Sequence, residues 1–176
     1  MSAGIDFSWD RDKRSLFMCI VLFRSRNVVD SVYSYLVRSV REFKLHFRRL
    51  TRKKKRILLS AVRRLLGGAV KQFSRDDVFV FKAYVPKFAN LMSKYSWLES
   101  KACEIIGIIR RYRNYPHQVV VGSDLERGKY SFSENLRRRL GINVYIDDRS
   151  QEVCIADAIV NYARIEGKIP IKHHFC

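Results

Sequence analysis

The chain opens on strict alternation. Between Gly4 and Trp9, Ile5, Phe7 and Trp9 fall on one side and Asp6 and Ser8 on the other. That period of two predicts a strand with one buried face. The polar cluster Asp10 to Arg14 makes a hairpin turn into a continuous apolar run, Ser15 to Phe23, read as a buried strand. The period then becomes helical: Val32, Leu36 and Val40 recur at every fourth position, with Asn27 or Ser31 as the cap and an end at Arg41. Alternation returns from Glu42 to Leu50, where Phe43, Leu45 and Phe47 oppose Glu42, Lys44, His46 and Arg48. This predicts a third strand with one wet, basic face. Thr51 caps a helix to about Leu66, stopped by Gly67-Gly68. Asp77 to Val85 is β-branched and aromatic, a strand ended by Pro86.

A long helical stretch follows from about Lys87 to Tyr112, then a short strand, His117 to Val121, running into Gly122-Ser123-Asp124. Ser131 and Glu134 have capping-box spacing and open a helix to Leu140, closed by Gly141. Ile142 to Ile146 is a further strand, and a last helix runs from about Ser150 to Ile165. Strands gathered at the front, followed by strand–helix alternation, predict an α/β domain with a mixed sheet flanked by helices. No repeat or low-complexity linker divides residues 1–176, so a single domain is expected.

Composition changes the picture in one respect. The 176 residues carry 35 Lys and Arg against 17 Asp and Glu, a formal net charge of +18. With 47% hydrophobic residues the chain folds around a core, so the charge lies on its surface. A polyanion relieves such self-repulsion best, which makes DNA or RNA the expected partner. The longest apolar run, Ser15 to Phe23, is shorter than the about 20 residues a membrane span requires. Without a visible secretory signal, an intracellular, cytoplasmic protein is expected. Cys19, Cys103, Cys154 and Cys176 form no Cys-x-x-Cys pair and read as reduced thiols.

The densest charge is Arg48, Arg49, Arg52, Lys53, Lys54, Lys55 and Arg56, extended by Arg63 and Arg64; no acid occurs between Lys44 and Gln72. A basic run is often just a solvated helix face, but one without compensating acids is suited to phosphate contact. Arg110, Arg111 and Arg113 form a second patch and Arg137 to Arg139 a third. Tyr112 and Tyr115 lie among the arginines, placed either for stacking on unpaired bases or for core packing.

Against this background a few acids stand out. Asp6 interrupts the first strand, Glu42 begins the predicted third, Asp124 follows Val119-Val120-Val121, and Asp157 borders the apolar face of the last helix beside Val153 and Val160. Each has an ordinary reading as a turn, cap or ion-pair residue; their joint placement suggests more. A small cluster of hard carboxylates on rigid elements is what two divalent ions, about 4 Å apart, require for phosphodiester hydrolysis. Asp147-Asp148, at another strand end, is the alternative to Asp124, although Asp148 and Gln151 also have capping-box spacing.

This arrangement resembles the ribonuclease H-like superfamily, whose domains carry an acid in the middle of the first strand, one after the fourth core strand and one on the final helix. The matching positions are Asp6 in Ile5-Asp6-Phe7-Ser8, Asp124 in Val121-Gly122-Ser123-Asp124, and Asp157 in Ile155-Ala156-Asp157-Ala158. The likeness is nearest to a poorly characterised subgroup opening on Asp-x-Ser, with a Glu before a basic-aromatic segment, here Glu42. Phe7 stands where that subgroup often has another acid. The resemblance implies a ribonuclease H-like fold and a nuclease of low sequence specificity, with Asp6, Glu42, Asp124 and Asp157 holding Mg²⁺ or Mn²⁺. The rival expectation is a non-catalytic nucleic-acid-binding protein on the same fold.

Overall fold

The computed structural model describes residues 1–10, 12, 14–85, 91–123, 126–127 and 130–167. Strands β1 (Ser2–Asp10) and β2 (Ser15–Phe23) form an antiparallel hairpin, with Asp6 opposite Cys19. Helices α1 (Arg26–Val40) and α2 (Arg52–Arg64) follow, joined through a single 3₁₀ turn, Phe47–Arg49. Strand β3 (Val78–Tyr84) then pairs antiparallel to β2. Next come α3 (Leu91–Arg113), β4 (Gln118–Val121), a small ladder of β5 (Glu126–Arg127) with β6 (Tyr130–Ser131), α4 (Phe132–Leu140), β7 (Asn143–Ile146) and α5 (Gln151–Glu166). The main sheet has the order β3-β2-β1-β4-β7; β4 is parallel to β1, and β7 to β4.

The expected α/β architecture with a mixed sheet is what forms. Alternation along β1 and β2 sends side chains to two cores. Ile5, Phe7, Leu16, Met18 and Ile20 pack with Tyr95, Leu98, Ile106, Phe132 and Leu136 of α3 and α4. On the opposite face, Cys19, Val21 and Phe23 meet Val32 and Leu36 of α1, Leu58 and Val62 of α2, and Ile155 and Ile159 of α5. Among the described residues no helix is long and apolar enough to cross a membrane. Cys19, Cys103 and Cys154 are buried free thiols; Cys176 lies outside the described residues.

The predicted strand from Glu42 to Leu50 does not exist. Leu45 and Phe47 are buried, but Phe43 is 98% exposed, so the alternation does not mark a face. Among the described residues no neighbouring strand supplies a ladder. The backbone is satisfied instead by side chains: the Leu45 N–H donates to the Tyr33 hydroxyl (3.3 Å) and the Phe47 N–H to Asp157 Oδ2 (2.9 Å). Capping is also adjusted in detail. Ser25, rather than Asn27 or Ser31, caps α1, and Ser150 caps α5 in place of Asp148. Ser131 accepts from the Glu134 N–H as expected, while the Glu134 carboxylate pairs with Arg137 rather than closing the box.

One buried acid ties the far end of the sheet together. Asp77, only 2% exposed, receives Arg24 Nε (3.2 Å), Arg113 Nη1 (3.2 Å) and the Tyr115 hydroxyl (3.5 Å). It thereby joins the end of β2, the start of β3 and the end of α3. Both guanidinium groups are about half exposed, so water screens part of their attraction. Asp77→Ala is expected to lower stability by about 2 kcal/mol, measured as a lower urea midpoint at unchanged slope.

Candidate active site

Strand β4 pairs with β1 from Ser2↔Gln118 to Ile5↔Val121 and then leaves the sheet. Asp6 is therefore the first β1 residue beyond the end of the parallel pairing. Such a crevice, outside the carboxyl ends of parallel strands, is where open α/β sheets receive ligands. Here it is a cleft of about 180 Å³ lined by Asp6, Phe7, Ser8, His46, Arg48, Ser123, Asp148, Val153, Cys154, Asp157 and Asn161.

Each wall has a local cause. Helix α5 lies along β1 because Gly4 admits it closely: a Cβ at Gly4 would stand 2.3 Å from the Glu152 carbonyl oxygen. Ser2 Oγ donates to the buried Glu152 carboxylate (3.2 Å) at this contact. One turn or more further on, Asp157 faces the cleft. Its Oδ1 accepts from Asn161 Nδ2 (2.7 Å) and its Oδ2 from the Phe47 N–H (2.9 Å), with His46 Nδ1 at 3.6 Å. Asn161 is itself held by Ser8 Oγ (3.2 Å) and Arg164 Nη2 (3.0 Å). At the ends of β4 and β7, Asp148 accepts from the Ser123 N–H (2.7 Å) and the Ser123 hydroxyl (2.5 Å).

Asp6 and Asp148 meet across Gly122. A Cβ built on Gly122 would lie 2.6 Å from Asp6 Oδ1 and 3.5 Å from Asp148 Oδ1. A side chain at this position would displace the Asp6 carboxylate, while Asp148 would stand at ordinary contact distance. Electrostatics report the same convergence. Burial first, then the negative charge of Asp157, Asp6, Asp147 and Asp148, pushes the Cys154 thiol pKa up to about 12. The hydrogen bond to Asp157 raises the His46 pKa, against the lowering effects of partial burial and of Arg49 and Arg48.

Of the four acids singled out in the sequence, Asp6 and Asp157 line the same cleft. Asp124 lies outside the described residues. Glu42 is not part of the cleft lining; it follows the end of α1 and pairs with Lys54 at 2.5 Å. Asp148, weighed in the sequence as an alternative and as a cap, is a cleft residue. His46, read from the sequence only as part of a basic strand face, and Asn161 also line the cleft. The relevant signal was faint: His46 precedes Phe47, whose burial pins the connection onto α5.

The basic residues divide. Arg48 lines the cleft, and Arg49, Arg52, Lys53 and Arg56 continue from it as an exposed series into α2. Lys54 is paired with Glu42, and Lys55 Nζ lies 5.4 Å from the Phe47 ring centroid. Arg110, Arg111 and Arg113 stand at the end of α3, which packs on the other face of the sheet and leads into the start of β4, away from the cleft. Arg113 is occupied by Asp77 and Tyr115, and Arg110 by the Leu140 carbonyl. Tyr115 is buried, and Tyr112 is 85% exposed.

Among solved structures, the chain is similar to ribonuclease HII of Archaeoglobus fulgidus, determined in a complex with PCNA. The TM-score is 0.55 at 18% identity, covering 95% of this chain and 73% of that one. The chain has a ribonuclease H-like fold. No protein-family description and no curated protein matches the sequence. At that identity the likeness concerns the ribonuclease H-like fold alone.

Proposed function

We propose that this protein is a metal-dependent nuclease hydrolysing phosphodiester bonds of DNA or RNA with little sequence specificity. The observation that carries the reading is the gathering of Asp6, Asp148 and Asp157 around one small cleft in a chain of net charge +18. Carboxylates that face one small cleft repel one another, and a cation bound between them relieves that repulsion. Their hard oxygens suit Mg²⁺ or Mn²⁺. Among the described residues, no three His, Cys, Asp or Glu side chains form a ready-made metal cluster. The donor chemistry nevertheless fits a hard divalent ion. Hydrogen bonds to Asp148 and Asp157 leave lone pairs on their oxygens, because an ionised carboxylate offers about four acceptor sites. Asp6, Asp148 and Asp157 would hold the ion, with Asp124 as a further ligand on sequence grounds. A bound divalent ion polarises phosphoryl oxygens and makes water a competent nucleophile at neutral pH.

The chain's own groups would prepare the site. Ser123 fixes the Asp148 carboxylate through two hydrogen bonds; Asn161 and the Phe47 amide fix both oxygens of Asp157. Arg48 would meet the phosphate at the cleft mouth, and Arg49, Arg52, Lys53 and Arg56 the backbone beyond it. The start of α2 supports that role. Its first turn contains no acid, and its cations crowd the positive end of the helix, an arrangement that an anion relieves.

The decisive experiment is a cleavage assay with Mg²⁺ or Mn²⁺ on labelled single-stranded, duplex and branched DNA and RNA. Wild-type activity strongly reduced in Asp6→Asn supports the reading; equal products from both proteins refute it. Two further outcomes are expected. Gly122→Ala drives a methyl group against Asp6, so Mn²⁺ affinity by calorimetry should fall about 10- to 100-fold, with the melting temperature little changed. Raising salt from about 50 to about 200 mM should weaken oligonucleotide binding at least about a hundredfold if several phosphates are contacted; fluorescence anisotropy reads this directly.

A further inference from the structure

We propose that Phe43 is a stacking platform for an unpaired base, so that the preferred substrate carries single-stranded nucleotides beside the cleaved phosphate. The inference rests on the nucleic-acid reading above and extends it to a substrate class. Phe43 is 98% exposed, more than any other large hydrophobic side chain among the described residues. It is held out rather than left loose. On one side Arg41 ends α1 in the left-handed region and the Glu42 N–H donates to the Val37 carbonyl (3.2 Å), while the Glu42 carboxylate pairs with Lys54. On the other side Leu45 and Phe47 are buried, and their amides are bonded to Tyr33 and Asp157.

The surroundings indicate what the ring is for. Arg41 and Lys44 flank it, both exposed, and neither makes an ion pair among the described residues. No other exposed large hydrophobic belongs to the α1–α2 connection or to α2, so these elements offer Phe43 no apolar companion. A lone aromatic ring among cations is instead the composition of single-strand binding surfaces, where the cations follow the backbone and the ring stacks on a base. The same connection places His46 in the cleft, and the Phe43–His46 segment spans at most about 11 Å of chain. At about 3.4 Å per stacked nucleotide, the ring reaches a base within about three nucleotides of the cleft.

The test is metal-free binding of the full chain to a labelled single strand, the matching blunt duplex, and that duplex with a short single-stranded overhang, by fluorescence anisotropy. The wild type is expected to favour the single strand and overhang. Phe43→Ala should lose about tenfold on both and nothing on the blunt duplex; Phe43→Leu should lose as much, and Phe43→Trp should retain affinity with its fluorescence quenched on binding. The proposal is overturned if Phe43→Ala matches wild type on all three probes, if it weakens the blunt duplex equally, or if Phe43→Leu restores full affinity. Because no metal is present, stacking without any later cleavage would sustain this inference while refuting the nuclease. A wild type that binds none of the probes would refute the nucleic-acid reading itself.

Discussion

Asp6→Asn is expected to reduce metal-dependent cleavage roughly a thousandfold while leaving the fold intact. The carboxylate stands in mid-strand, 9% exposed, where β1 continues beyond its pairing with β4. Asparagine preserves its size and hydrogen-bonding reach but removes the negative charge. A metal ion contributes several kcal/mol to stabilising a phosphoryl transition state, and each 1.36 kcal/mol is tenfold in rate. Losing a central ligand should therefore cost about three powers of ten, whereas the melting temperature should change little because asparagine keeps the size of the side chain. Single-turnover cleavage together with calorimetry separates the two effects. A variant that cuts at the wild-type rate would remove Asp6 from the chemistry.

Gly4→Ala should have the largest effect on stability. The added methyl would lie 2.3 Å from the Glu152 carbonyl oxygen and 2.6 Å from its carbon, so the obstruction is helix backbone that no rotamer change avoids. Helix α5 must move off β1, loosening Ile155 and Ile159 in the core beneath it. A forced shift of this kind costs about 3 kcal/mol, or roughly 10 °C in Tm for a domain of this length. Cleavage should fail as well, because Asp157 and Asn161 travel with α5. An unchanged melting temperature would mean that the close contact between Gly4 and Glu152 is not formed in solution.

What the sequence disclosed follows from how local each signal is. The run Ser15 to Phe23 reads as a strand with the same ends that the structure shows, because nine apolar or small residues between polar clusters are too few for a typical buried helix. Asp157 was legible at the border of an amphipathic helix, and Asp6 as a polar position within an alternating strand; both face the cleft. Glu42 to Leu50 misled because alternation records burial of Leu45 and Phe47 without recording whether a partner strand exists. Asp148 was obscured by a spacing that fits a cap, when Ser150 performs that task and Asp148 binds Ser123 across the β4–β7 boundary. Its placement depends on two strand ends being neighbours, which no local pattern encodes. The same holds for His46, which reaches the cleft only because the α1–α2 connection is fastened to α5.

The joint use of Asp6, Asp148 and Asp157 by a divalent ion is tested most directly by locating Mn²⁺ in crystals through its anomalous scattering. The expected result is a peak in the cleft within coordination distance of Asp6 and at least one of Asp148 and Asp157, lost in Asp6→Asn crystals grown alike. Anomalous density confined to other surfaces, or a cleft peak unchanged by Asp6→Asn, would contradict the account.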